Sequence, residues 1–174
     1  MRKIVLTFGL IAGAVLSAMM LLTLPFQDKL GFETGAVIGY TTMVAAFLMI
    51  YFGVRSYRDN VAGGSVKFGR AFTVGLLIAL VGTACYVATW EVIYYKVAPD
   101  FTAKYAAAAV NRVKQGGATA EQVAAKEKEM AAFAESYKNP LVNIAYTTLE
   151  PLPVGLLFAL GTAGLMSRKR RVTV

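Results

Sequence analysis

One carboxylate of this chain lies where a charge is expensive, inside a long apolar stretch and directly before two prolines. Glu150 is followed by Pro151 and Pro153. A charged side chain at the centre of a bilayer costs at least ~2.5 kcal/mol, which makes such residues functional candidates. Each proline lacks the N–H that would bond one turn back, so we expect a kink with freed backbone groups beside the acid. Such breaks occur at transport sites and also as structural hydrogen-bond nodes, and both interpretations stay open.

The carboxyl of Glu150 is expected to face the helix bundle and to bond a neighbour there. The first candidates are Tyr86, Thr89 and Trp90, and a tyrosine of the second apolar stretch is another. A second acid, Glu91, follows Trp90 near the end of the third apolar stretch, and Tyr94-Tyr95 comes after it. Since aromatic belts mark membrane interfaces, Glu91 fits an acid that reaches interfacial water. The candidate functional residues are Glu150, Glu91, Trp90, Pro151 and Pro153.

Other residue types that carry chemistry are scarce. The chain contains no histidine and a single cysteine, Cys85, so the commonest general base and the commonest transition-metal ligand are missing. Gly63-Gly64-Ser65 lies close to Lys67, but it lacks the spacing of a phosphate-binding loop and fits a flexible turn. We therefore predict no catalytic, cofactor-binding or metal site, and a protein that is not an enzyme.

The elements that position these residues are four long apolar stretches. A hydrocarbon core of ~30 Å needs roughly 20 apolar residues of helix. Hydrophobic residues form 57% of the chain and charged ones 16%, against about 25% charged in soluble domains. The first stretch exceeds the ~7–15 residues of a signal-peptide core, so we expect it to remain a span. The sequence predicts an all-α, polytopic membrane protein with four transmembrane helices: Ile4–Leu24, Gly35–Val54, Ala71–Trp90 and Leu141–Met166.

The placement of positive charge predicts the topology. The net charge is +8, and the basic residues cluster at both ends of the chain and between residues 55 and 70. Positive loops stay on the cytoplasmic side, so both termini are predicted to be cytoplasmic in a multi-pass inner-membrane protein. No nucleic-acid partner is predicted. The expected partners are the lipid bilayer and anionic headgroups, which would contact the C-terminal basic run of Arg168, Lys169, Arg170 and Arg171.

Residues 96–139 are predicted to form an extracytoplasmic helical hairpin between the third and fourth transmembrane helices. We treat them as an insertion within a single membrane domain, residues 1–174. Gly116-Gly117 should end the first helix of the insertion, and Thr119 with Gln122 has the pattern of a capping box for the second. The hairpin is expected to lie on the outer membrane surface or to cover the mouth of the bundle. Residues 25–34 are expected to form only a short turn, with Pro25 ending the first helix.

Small residues recur at helical spacing within the spans. Such residues let helix backbones approach closely in lipid. We favour packing within the chain over dimerisation through them. The glycines concerned are Gly9 and Gly13 with Ser17, Gly35 and Gly39, Gly75 and Gly82, and Gly161 and Gly164.

Three runs of the chain resemble the bacterial integral membrane family known as domain of unknown function 4199. They are the residues from Val66 to Gly75, the run Tyr86–Trp90 with Tyr94-Tyr95, and Glu150-Pro151-Leu152-Pro153-Val154-Gly155. The layout of four spans with a helical insertion before the last is similar as well. The resemblance implies a bacterial inner-membrane protein, and it supplies no catalytic residue.

Three classes of function remain from the sequence, and a membrane enzyme is the least favoured of them because no histidine, metal cluster or nucleophile–base pair is visible. The first is a structural or accessory membrane protein that binds a protein or lipid partner, with a homo-oligomer as one form of it. The alternative is a small transporter or proton relay that uses the intramembrane Glu150.

Overall fold

The computed structural model describes residues 1–167, apart from the side chains of Gln27 and Asp28. Every regular element in that range is helical, which confirms the predicted all-α class for the described residues. The C-terminal basic run lies outside them. The α-helices are α1 (Arg2–Thr23), α2 (Gln27–Asn60), α3 (Phe68–Val92), α4 (Phe101–Gln115), α5 (Ala120–Tyr137), α6 (Pro140–Leu149) and α7 (Pro151–Met166), with a 3₁₀ turn at Leu24–Phe26 and a π-helical segment at Ile93–Val97.

Four helical stretches are long and apolar enough to cross a membrane. They coincide in number and position with the four predicted spans; the first three extend beyond the predicted bounds at both ends, and the fourth begins one residue earlier. The third continues from α3 through the π-helical segment, and the fourth combines α6 and α7. Their bounds are Arg2–Phe26, Lys29–Asn60, Phe68–Val97 and Pro140–Met166.

The short turn expected at residues 25–34 is wrong in extent. Pro25 does end α1, but α2 begins at Gln27 and departs from helical dihedrals only at Gly31 (φ 71°, ψ 164°). Glycine reaches this positive φ without the steric cost of a β-carbon. A single glycine therefore absorbs the change of direction, and the residues around it remain helical.

The chain divides into two compact units. The first comprises Met1–Ala88 and the chain from Thr148, and the second comprises Thr89–Thr147. The core of the first unit consists of aliphatic and aromatic side chains from α1, α2, α3 and α7. Its fully enclosed members include Ala12 on α1, Phe47, Ile50 and Val54 on α2, Val74 and Ile78 on α3, and Ala159 and Ala163 on α7.

Glycines hold two helix pairs of the first unit close together. A β-carbon added at Gly13 of α1 would lie 2.5 Å from the β-carbon of Cys85 on α3. One added at Gly155 of α7 would lie 2.8 Å from that of Ala79 on α3. Real β-carbons do not approach so closely, so only glycine fits these crossings. The predicted packing within the chain is confirmed for α1, where Gly9 also meets Val81.

The same expectation is wrong for two other glycine pairs. Within the described residues, a β-carbon at Gly35, Gly39, Gly161 or Gly164 would meet nothing within 4 Å. Small residues at i, i+3 or i+4 mark a face where close approach is allowed. They do not require a neighbour on that face.

In the second unit α4 and α5 pack against each other. Tyr105 of α4 contacts Phe133 of α5, with ring centroids 5.7 Å apart. The predicted glycine stop is confirmed, because α4 ends at Gln115 and Gly117 has a φ of 77°. The predicted capping box is also confirmed: Thr119 accepts from the backbone N–H of Gln122, whose side chain accepts from the backbone of Thr119.

Candidate functional site

The predicted interruption at Glu150 is present in the structure. Helix α6 ends at Leu149 and α7 begins at Pro151, while the backbone of Glu150 stays near helical dihedrals (φ −71°, ψ −59°). Pro151 occupies the first position of α7, where a missing N–H leaves no bond unmade. Pro151 is buried and Pro153 is exposed. The first proline therefore sets the break, and the second adds a residue without a donor to the first turn of α7.

A phenol and a carboxylate meet at this break, within the first unit. The hydroxyl of Tyr86 donates to Oε2 of Glu150 over 2.7 Å, which confirms the first of the expected partners. The side chain of Glu150 is exposed on the described chain and that of Tyr86 is half-buried. The carboxyl of Glu150 therefore turns towards α3 as expected, although the residue as a whole is exposed on the described chain. The pair has the chemistry to hold a proton, because a carboxylate accepts one and the phenol fixes its orientation.

A threonine on α3, the helix that carries Tyr86, adds a polar group to the interior of the first unit. Thr83 lies three residues before Tyr86 and is 4% exposed. Its hydroxyl oxygen has no hydrogen-bond partner within the part of the chain that the structure describes. A buried hydroxyl without a partner costs about 1–3 kcal/mol.

The second unit is closed by a cluster of aromatic rings, which we call the aromatic cluster. Trp90 packs edge-on against Phe101, with centroids 4.6 Å apart, and Tyr94 packs edge-on against Tyr137 at 5.3 Å. Edge-to-face pairs contribute about 0.5–1.5 kcal/mol beyond the area they bury. The members of the aromatic cluster are Trp90, Tyr94, Tyr95, Phe101, Tyr105, Phe133, Tyr137 and Tyr146.

A chain of hydrogen bonds, the polar chain, passes through the aromatic cluster. Trp90 Nε1 donates to the Tyr137 hydroxyl over 3.0 Å, and that hydroxyl lies 3.4 Å from Oγ1 of Thr147. Thr147 in turn donates to Oδ1 of Asn143 over 3.1 Å. Each hydroxyl can accept one hydrogen bond and donate another to the next group, so the bonds strengthen one another. Asn143 is completely buried.

Two polar atoms of the second unit stay unsatisfied among the described residues. They are Nδ2 of Asn143 and Oε1 of Glu91. Glu91 is half-buried. Asn143 is completely buried, and its amide nitrogen carries the cost of burial without a bond among the described residues.

The π-helical segment joins α3 to the aromatic cluster. Its wide turn is closed by Ala98, whose N–H donates to the carbonyl of Ile93 over 2.8 Å. Ile93 and Tyr94 are buried, and Tyr95 is exposed. Such segments are rare in proteins, and many of those that occur lie at functional sites. Here the wide turn redirects two consecutive tyrosines at the end of the third span.

Sequence reasoning identified part of this arrangement. It placed Trp90 beside Tyr94 and Tyr95, but it assigned no role to Asn143 and did not foresee the polar chain. The spacing of Asn143 and Thr147, four residues apart on one helix, was an available signal. Two polar side chains on one face of an apolar helix require partners; here they bond each other, and Thr147 also meets Tyr137 of α5.

A shallow groove runs between α4 and α5 in the second unit. Its volume is about 400 Å³, and alanines form much of its wall. Val110 and Met130 are buried beneath it, whereas Ala107 and Ala131 are exposed. The lining residues are Ala106, Ala107, Val110, Asn111, Lys114, Glu127, Met130, Ala131 and Ala134.

Exposed ion pairs accompany the groove. Lys114 and Glu127 join α4 to α5 over 3.1 Å. Lys138 donates to Glu135 over 2.5 Å, and this bond together with the attraction of the carboxylate raises the pKa of Lys138. Exposed pairs of this kind contribute little to stability, because water and salt screen them. Their signs therefore matter more for the choice of a partner than for folding.

One comparison with known proteins gives a match, and it covers most of the chain. A family model described as protein of unknown function, DUF4199, matches residues 7–168. No curated protein matches the chain, and no solved structure matches it. The matched region includes Glu91, Glu150 and both prolines that follow Glu150.

Proposed function

The chain belongs to the DUF4199 family, and we propose that it is a membrane accessory protein that presents a helical surface to a protein partner. Its four apolar helices are those of a multi-pass membrane protein. The alternative occupant of that surface is a lipid chain, which the experiment below distinguishes. The proposed activity is binding, and no catalytic step is part of it.

The groove between α4 and α5 is the observation that carries this proposal. The rings of the aromatic cluster pack against one another, yet the groove remains open, with alanines along much of its wall. Ala107 and Ala131 on its walls leave the helix backbones accessible. Walls of small residues suit a third helix, because the backbones can approach closely and gain many weak contacts.

We place this surface outside the cytoplasm of a bacterial inner-membrane protein with both termini inside. In this proposal residues 96–139 are a helical hairpin inserted in a single domain of residues 1–174, and the C-terminal basic run contacts anionic headgroups. The support is the bias of positive charge towards the loop at residues 55–70. Arg55, Lys67 and Arg70 are exposed there.

Cysteine labelling tests the topology. Single cysteines at Asn60 and Gly117, in a Cys85→Ala background, are exposed to a membrane-impermeant thiol reagent on intact spheroplasts. The residue at 117 should react, and the residue at 60 should react only after the membrane is opened. Reaction of residue 60 in intact cells would overturn the proposed orientation.

Photo-crosslinking tests the groove itself. A photoreactive residue replaces Ala131, which lines the groove, or Ala132, which is exposed on the same helix outside it. We expect a protein adduct from position 131 and little from position 132. A lipid adduct at 131, or equal adducts at both positions, would contradict a groove that binds protein.

A proton relay through Glu150 is the second candidate, and the bond from Tyr86 at a helix break favours it. Glu150→Gln keeps an acceptor for the Tyr86 hydroxyl but cannot change its charge. If the relay exists, purified protein in vesicles should carry a proton flux that this variant abolishes while it remains folded. Equal flux in both proteins, or no flux above that of empty vesicles, would reject it.

A further inference from the structure

The walls of the groove have the residue spacing of a helix–helix seam. On α4 the seam is Ala107, Asn111 and Lys114, and on α5 it is Glu127, Ala131 and Ala134. Steps of three and four residues keep side chains on one face of a helix, so each wall offers one continuous stripe. A partner that fills this groove therefore needs two helices with the same spacing, or one helix between the walls.

The two helices that form the groove differ in charge, and Lys114 and Glu127 are the charged residues that line it. Helix α4 carries three basic residues, Lys104, Arg112 and Lys114, and no acidic residue. Helix α5 carries four acidic residues against two lysines. A surface that is basic along one helix and acidic along the other favours a partner with the two signs exchanged.

A second copy of this chain supplies that exchange when a two-fold axis runs parallel to the two helices. Such an axis lays α4 of one copy on α5 of its partner, in both directions at once. Lys114 and Glu127 lie at the same level because they pair with each other. The partner's Glu127 then faces Lys114, and the four charges alternate in one layer. A two-fold axis across the helices would instead place the basic α4 on the partner's basic α4.

We propose that the groove between α4 and α5 is the interface of a two-fold homodimer, in which four helices pack with Lys114 opposite the partner's Glu127. This inference rests on the proposed function and names the protein partner. The exposed Ala107 and Ala131 form the contact between copies. Contacts from α4 to α5 run from Tyr105 with Phe133 to Lys114 with Glu127, so Ala107 faces the partner's Ala131.

Disulfide formation between two differently tagged full-length copies tests the pairing. Ala107→Cys in one copy and Ala131→Cys in the other, both in the Cys85→Ala background, are expressed together and oxidised in membranes. Alanine walls bring facing α-carbons into the 4.4–6.8 Å range that a disulfide requires. The matched control pairs Ala107→Cys with Ala132→Cys. Ala131 and Ala132 are both exposed on α5, but of these two only Ala131 lines the groove. The inference requires about tenfold more mixed dimer from the 107–131 pair than from the control pair; equal yields would overturn it.

Charge reversal tests the alternating layer. Lys114→Glu and Glu127→Lys each place like charges across the proposed interface when expressed alone. Co-expression of the two variants restores opposite charges only between copies. Within each copy, residues 114 and 127 still carry the same charge and repel each other. We expect each single variant to reduce the disulfide yield about fivefold and the mixture to recover it, which follows from pair contributions near the upper end for exposed charges. A mixture as weak as either single variant would show that the two residues pair only within one chain.

The failure of this inference and the failure of the proposed function give different results. If neither cysteine pair links copies while photo-crosslinking at Ala131 still captures another protein, the homodimer is wrong and the accessory role stands. If position 131 captures no protein at all, both are wrong.

Discussion

The internal packing of the first unit differs from that of the second. In the first unit, helices approach because side chains are missing, and glycines on α1 and α7 leave no space for even a β-carbon. In the second unit, eight aromatic rings pack against one another, some buried and some exposed, and a chain of directed hydrogen bonds passes among them. Lipid-embedded helices gain nothing from excluding water, so close contact must come from shape. The first unit should therefore lose stability when atoms are added to its helix contacts, and the second unit should lose stability when atoms are removed from its interior.

The largest effect is expected from an added side chain in the first unit. Gly13→Leu would drive its β-carbon into Cys85, whose β-carbon is 2.5 Å from the position it needs. Overpacking typically costs about 1–3 kcal/mol and more where the backbone cannot move. We expect a loss of about 3 kcal/mol, measured as thermal unfolding in detergent.

Gly161→Leu is the control for that experiment. A β-carbon at Gly161 would meet nothing within 4 Å among the described residues, and leucine has a higher helix propensity than glycine. The variant should be as stable as the parent or slightly more stable. Equal losses at positions 13 and 161 would show that glycine is not needed for the contact between α1 and α3.

A removed atom in the second unit should have the next largest effect. Tyr137→Phe deletes only the hydroxyl that accepts from Trp90 Nε1. A buried donor or acceptor left without its partner costs about 1–3 kcal/mol. We expect a loss of about 2 kcal/mol, together with a change in the fluorescence of Trp90, the only tryptophan of the chain.

Tyr95→Phe is the matched comparison, because Tyr95 belongs to the same aromatic cluster but is exposed. It should leave both the stability and the fluorescence of Trp90 nearly unchanged. If the two phenylalanine variants behave alike, ring packing alone holds the second unit together and the polar chain contributes nothing.

The contrast between the units also explains what the sequence could predict. Span number follows from length and apolarity, and the capping box at Thr119 and the break at Glu150 follow from local residue types, so these were correct. The aromatic cluster depends on which faces of α3, α4, α5 and α6 meet, and that is a property of the fold and not of any one segment. The exposure of Glu150 does not follow from the sequence for the same reason, since depth along a helix does not fix how much of a residue its neighbours cover.

A smaller effect is expected at the surface bond between Tyr86 and Glu150. Tyr86→Phe removes the donor, and we expect a loss of about 1–1.5 kcal/mol, within the range for polar contacts between membrane helices. Glu150→Gln should cost less, because the amide oxygen still accepts. A double-mutant cycle with both changes measures the coupling directly, and a coupling near zero would remove this bond as a support for the helix break.

The smallest effect should come from the cap of α5, where both units can be compared in one measurement. Thr119→Ala removes the side-chain oxygen that accepts from the N–H of Gln122, and a lost cap of this kind costs about 1 kcal/mol. Because the cap acts on the first turn of α5, amide exchange should accelerate there and not in α1 or α2 of the first unit. Thr119→Ser keeps the hydroxyl and should exchange like the parent. Faster exchange across all the spans in the alanine variant would mean that the two units unfold together, and the contrast drawn between them would then describe their packing but not their stability.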